Sequence, residues 1–226
     1  ASTVKKNSTP DLKNGELSEL KGDQTVPANK LTRQKISIQE YPTNQIRFYN
    51  GARIDLPEDR TIYITQDAGL IADRLQKEFQ SMGLNTRLID PAASQSADFS
   101  NAAGLVIVAD AFAEQPESGH SFKFLTHAFE LIRQAAPHLT TAAQEKGAFL
   151  SSVTFMGGNF GFSETKSLFD PVYGGLCGII KTANIELKDV LCRAIDLPGS
   201  IETSMANVEA AAALMMVQGE VEMGLD

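Results

Sequence analysis

Tyr173, Cys177 and Lys181 are the residues whose spacing comes nearest to a catalytic arrangement. A tyrosine serves as a general acid when a neighbouring cation lowers its pKa toward the working pH. On a helix that cation belongs one turn away, four residues on. Here that position is Cys177, and Lys181 lies a further turn along. Tyr173 therefore reads as a packing or solvent-facing residue. Cys177 and Cys192 have no C-x-x-C partner, and only Arg193 is a basic neighbour. Buried free thiols are the expectation, not a nucleophile or a zinc site. His120, His127 and His138 could share one helical face. At 1.5 Å per residue they are about 10 and 16 Å apart along the axis, too far to hold one metal. They read as surface or helix-end histidines. No Gly-x-Ser-x-Gly, Walker loop, His-Glu-x-x-His or EF-hand pattern occurs.

The glycines are the second place to look. A dinucleotide site needs a glycine-rich turn after the first strand, so that backbone and helix N–H groups can meet the pyrophosphate. The turn here is Thr65-Gln-Asp-Ala-Gly-Leu-Ile-Ala72. The Thr-Gly-x-x-x-Gly-x-Gly turn of short-chain dehydrogenases would need glycine at Gln66, Leu70 and Ala72, and all three differ. Asp67 adds a carboxylate beside the expected phosphate. Asp90 ends the second strand where a ribose-binding acid would lie, but without the glycines it reads as a strand-end residue. Gly157-Gly-Asn-Phe-Gly161 admits two readings, a phosphate cradle or a tight loop with positive φ residues around a buried Phe160. The loop does not run straight into a helix, which favours the second. Gly174, Gly175 and Gly178 inside a helix cost about 1 kcal/mol each relative to alanine, which suggests close packing at an interface. No catalytic, cofactor-binding or metal-binding residue is assigned to this chain.

The elements that carry these residues alternate. Thr61–Thr65 reads as a buried strand. Ile71, Leu75, Phe79 and Met82 recur at helical spacing, with Asp67 available as N-cap and Gly83 past the end. Leu84–Asp90 is a strand stopped by Pro91. Gly104–Ala109 is a continuous apolar run that suits a parallel strand covered on both faces. Phe122, Leu125, Phe129, Ile132 and Ala136 mark a helix ended by Pro137 and His138. Ala148–Val153 is the next strand. Asp170-Pro171 starts a helix marked by Val172, Leu176, Ile179, Ala183 and Leu187. Val190–Leu197 is a strand closed by Pro198-Gly199. A helix rich in Met and Ala runs from Thr203 to Val217, with Met205, Met215 and Met216 as core filler. A last strand starts at Glu220, with Glu220 and Glu222 on a solvent face. Strands separated by such helices give an α/β fold, a Rossmann-like three-layer αβα architecture around a mostly parallel sheet.

Residues 1–35 are polar, carry Pro10 and Pro27, and show no period. They read as a flexible linker. The domain is expected over 36–226, with strand-like pieces at Ile36–Ile38 and Ile46–Tyr49. The net charge is −8, from 20 Lys+Arg against 28 Asp+Glu. This balance, without a basic block, argues against nucleic-acid and anionic-membrane partners. No apolar run is long enough to span a bilayer, and the start has no apolar signal segment. Two cysteines make a reducing cytoplasm the default. A chain beginning with Ala1 reads as a piece of a longer polypeptide.

Two segments carry a family resemblance. Val172-Tyr-Gly-Gly-Leu-Cys-Gly-Ile-Ile-Lys-Thr-Ala-Asn-Ile-Glu186, followed by Val190-Leu-Cys-Arg-Ala-Ile-Asp-Leu-Pro198, resembles ketoreductase domains of polyunsaturated fatty acid synthases and type I polyketide synthases. There a Gly-Leu-x-Lys-(Thr/Arg)-x-x-x-Glu helix precedes a strand ending in Asp-Leu. Gly157-Gly-Asn-Phe-Gly161 is similar to a loop of the fatty acid synthase branch, and Gly219-Glu-Val-Glu-Met-Gly224 also fits. The resemblance covers about residues 36–226 and is to the N-terminal half of the ketoreductase. It implies a structural subdomain, a degenerate short-chain dehydrogenase copy that binds no cofactor. NADPH and the catalytic Ser, Tyr and Lys would belong to a downstream catalytic subdomain. The implied partners are that subdomain of the same polypeptide and acyl carrier protein domains. The first 35 residues would resemble a linker from an upstream carrier domain.

Overall fold

The computed structural model describes residues 52–68, 70–92, 97–110, 119–162 and 170–225. The linker expected over 1–35 and the strand-like pieces at Ile36–Ile38 and Ile46–Tyr49 lie outside them. Six strands form one sheet: β1 (Thr61–Thr65), β2 (Asn85–Ile89), β3 (Ala102–Val108), β4 (Phe149–Thr154), β5 (Leu191–Asp196) and β6 (Glu222–Gly224). Their order is β2-β1-β3-β4-β5-β6, and every pair is parallel. A parallel sheet must be covered on both faces, and the central strands show it. Every residue of β3 and β4 is buried. Gly104 in β3 is required by that packing, since a Cβ there would lie 2.7 Å from the Phe149 ring.

The helices are α1 (Ile71–Ser81), α2 (His120–Glu145), α3 (Gly175–Glu186), α4 (Ile201–Ala206) and α5 (Val208–Met215). Helix α1 packs against α4 and α5, whereas α2 packs beside α3. The result is the α/β, Rossmann-like fold with a parallel sheet that the alternating pattern predicts. Helix α1 buries Ile71, Ala72, Leu75 and Phe79, and Gly83 turns the chain out of it at φ 81°. Arg193 is buried within β5, and its Nη1 donates to the Leu214 carbonyl of α5 at 2.7 Å. At the opposite end of the strands, Arg60 clasps Glu145 through two bonds of 2.8 and 2.6 Å, joining the entry to β1 to the end of α2.

Three expectations need correction. Helix α2 does not stop at Pro137 but runs eight residues past it. Pro137 is exposed, as is Arg133, whose carbonyl it leaves without a helical donor. Leu139 and Ala142 are buried and extend the apolar stripe beyond it. The stripe itself is shifted. The core takes Phe124, Ala128, Leu131, Ile132, Ala135, Leu139 and Ala142, while Phe122 and Phe129 are 66% and 52% exposed. The third correction is to the single helix expected from Thr203 to Val217. It starts earlier, at Ile201, with the Ser200 hydroxyl accepting the Thr203 N–H, and is interrupted at Asn207. There the backbone N–H bonds to the Ser204 carbonyl, and the side-chain amide donates to the Thr203 carbonyl. Both carbonyls are thereby engaged by one residue at the junction. Met215 and Met216 are buried and Met205 is half-buried, as core filler would be.

Candidate functional site

The chain leaves β1 toward β2 on one side, and β3 then pairs with β1 on the other. In open α/β sheets, ligands bind beyond the carboxyl ends of the strands at such a reversal. The residues there are Gln66–Ala68 and Leu70 after β1 and Asp110 after β3. Helix α1 begins with Leu70 in the left-handed region at φ 63°. That conformation is costly for a residue with a branched side chain. The first N–H groups of α1 are taken by the chain itself. Asp67 Oδ2 accepts the Ile71 N–H at 3.3 Å, and Oδ1 accepts the Ala72 N–H at 2.8 Å. Asp67 thus caps the helix from outside the conventional N-cap position, which Leu70 occupies. A helix N-terminus favours an anion, and here a side-chain carboxylate fills that role.

Asp110 forms the other wall. Its Oδ1 accepts the Ala68 N–H at 3.1 Å, and its Oδ2 lies 3.3 Å from His120 Nε2. The Asp110 carbonyl accepts the hydroxyl of Tyr173 at 2.8 Å. Tyr173 is buried, and its ring meets Phe124 edge-on. Burial, with Asp110 and Asp170 nearby, pushes its phenol up to about 12. This shift runs opposite to the one a proton donor at neutral pH requires. Asp170 starts the 3-10 turn Pro171–Gly174 that leads into α3, accepting the Val172 N–H. The Ser121 hydroxyl also donates to Asp170. These two donors, Ser121 first, hold the Asp170 carboxyl below its ordinary range.

The glycine loop after β4 is organised around Asp196 at the end of β5. Its Oδ1 accepts the Thr154 hydroxyl and the Met156 N–H, both at 2.7 Å. Its Oδ2 accepts the Phe160 N–H at 2.7 Å. Asp196 is fully buried, and burial raises its carboxyl against the pull of these donors and the Gly158 N–H. Gly157, Gly158, Phe160 and Gly161 all have positive φ. The loop is therefore the tight turn expected, with Phe160 half-buried rather than buried. Its N–H groups are spent within the chain, those of Met156 and Phe160 on the Asp196 carboxylate, those of Gly157 and Gly158 on the Leu197 carbonyl and that of Gly161 on the Met156 carbonyl. Gly224 of β6 is packed under the same loop, where a Cβ would lie 1.7 Å from the Gly158 carbonyl oxygen.

The remaining sequence candidates fall apart in space or chemistry. Cys177 and Cys192 are free and buried, and burial pushes both thiols up to about 12. Lys181 pairs with Glu222 of β6 at 2.9 Å. Asp90 Oδ1 accepts the Ala92 N–H at 2.8 Å and stays exposed, a local turn at the strand end. His120, His127 and His138 all lie on α2, with His120 as its first residue. Among the described residues no cluster of His, Cys, Asp and Glu could hold a metal ion. None of their helices is long and apolar enough to cross a membrane. Of the three helix glycines, Gly175 has an internal reason, because its Cβ would lie 2.8 Å from Leu125 Cδ1. A Cβ at Gly178 would meet nothing within 4 Å. No motif in the sequence marks Asp110, and Asp196 stands out only within the strand ending in Asp-Leu. The signal they share is an aspartate at the end of a buried strand, Asp196 as the last residue of β5 and Asp110 two residues past β3.

No protein-family model matches the chain, and no curated protein matches it. Solved structures do. A short-chain dehydrogenase from Rhodopseudomonas palustris is 14% identical, with 75% of this chain and 99% of that one covered at a TM-score of 0.52. A short-chain dehydrogenase from Burkholderia cenocepacia J2315, in complex with NADP, is 11% identical over 74% and 89% of the two chains, with a TM-score of 0.51. A short-chain dehydrogenase/reductase of the glucose/ribitol dehydrogenase type from Brucella melitensis is 14% identical over 76% and 95%, with a TM-score of 0.50. The chain has the fold of short-chain dehydrogenases.

Proposed function

We propose that this chain is the structural, non-catalytic subdomain of the ketoreductase domain of a polyunsaturated fatty acid or type I polyketide synthase. One observation carries the reading: Asp67 already occupies the helix N-terminus that would receive a dinucleotide's pyrophosphate. The fit to NADP(H) is poor in two further respects. Asp110 sets a second carboxylate beside the first, which repels a phosphate. Tyr173 is held by the Asp110 carbonyl and pushed up to about 12, with Cys177 where a lysine would be needed. The role left to the chain is mechanical, to pack against and position the catalytic subdomain downstream. That subdomain would hold NADPH and supply every group that reduces the 3-oxoacyl thioester on the carrier protein. A cytoplasmic location goes with this reading.

The test is an assay of 3-oxoacyl thioester reduction by this chain alone and joined to the catalytic half. The reading expects turnover only when the halves are joined. Turnover by this chain alone would overturn it. A second reading, an autonomous short-chain-type oxidoreductase with an atypical nucleotide site, has one observation in its favour: the Burkholderia protein of the same fold was solved with NADP. Turnover by the isolated chain would establish that reading instead.

A further inference from the structure

We draw no further inference here: the strongest candidate, the apolar groove between α2 and α3 lined by Phe129, Ile132, Ile179 and Leu187 beside Gly175 and Gly178, is an unpartnered helix face, and nothing in the structure shows what covers it.

Discussion

Asp67 and Asp196 each gather backbone N–H groups that a phosphate would otherwise attract, and each leaves a testable signature. Removing the Asp67 carboxylate frees the Ile71 and Ala72 N–H groups. Asp67→Ala is expected to cost about 0.5–2 kcal/mol in urea unfolding, the range for a lost helix cap. It is not expected to create a nucleotide site, because Gln66 and Leu70 still deny the backbone its close approach. Asp196→Ala strands a buried donor at Thr154 and half-buried ones at Met156 and Phe160. Leaving a buried donor unsatisfied costs about 1–3 kcal/mol, so this variant should be the more damaging of the two in the same unfolding measurement. The two thiols, pushed up to about 12, hold thiolate at about one part in ten thousand at pH 8. Iodoacetamide should label Cys177 and Cys192 only as fast as the protein opens. Rapid native-state labelling would contradict their burial.

Acid titration separates the carboxylates. Asp170 has a lowered folded-state pKa, from Ser121 first and Val172 second. Its contribution to stability is present above the unfolded value of about 4 and is lost as pH falls through the lowered one. Ser121→Ala should therefore differ most from the parent above about pH 4, with the gap closing toward lower pH in urea unfolding. Asp196 runs in the opposite sense, because burial raises its pKa. Its protonation favours the folded state below the unfolded value, and that gain is lost as pH rises through the raised value. Chemical shifts of the two carboxyl carbons across a pH series would report both directions.

At the scale of the elements, α2 best shows what was legible and what was not. Its existence follows from the apolar period, but its end and its phase do not. Pro137 reads as a stop because proline removes a donor and crowds the preceding turn. The structure places it on the exposed side, while Leu139 and Ala142 stay in the core. Burial of the distal turns outweighs the defect. Pro137→Ala would restore the N–H to the Arg133 carbonyl and relieve the clash, at some cost in unfolded-chain entropy. A gain of about 2 kcal/mol in thermal unfolding is expected, the interior-proline penalty of about 3 less an entropy offset of about 1. The phase was obscured because Phe122 and Phe129 are as apolar as the residues that replace them in the core. Nothing in residue type alone says which aromatic faces the sheet. The strands were easier, since an uninterrupted run such as Ala102–Val108 has no polar face to confuse. In β6, Gly224→Ala is expected to fail, because the new methyl would collide with the Gly158 backbone. Loss of the β6 edge, seen as faster amide exchange from Ala194 to Asp196, would be the sign.

For the molecule as a whole, the fold is the level at which sequence and structure agree most fully. The β-α alternation makes the architecture readable from sequence, and structures at 11–14% identity share it. The departures at Gln66, Leu70 and Ala72 at the β1–β3 reversal are legible in the sequence, as is Cys177 on α3 beside β4 and β5. What stands in place of the missing groups was not legible. The partners of Asp110 and Asp196 come from loops distant in sequence, and only the folded chain brings them together. Isothermal titration of NADPH into this chain tests the central claim most directly. The account predicts no saturable heat at cofactor concentrations up to the millimolar range. Saturable one-to-one binding of NADPH to this chain would contradict it.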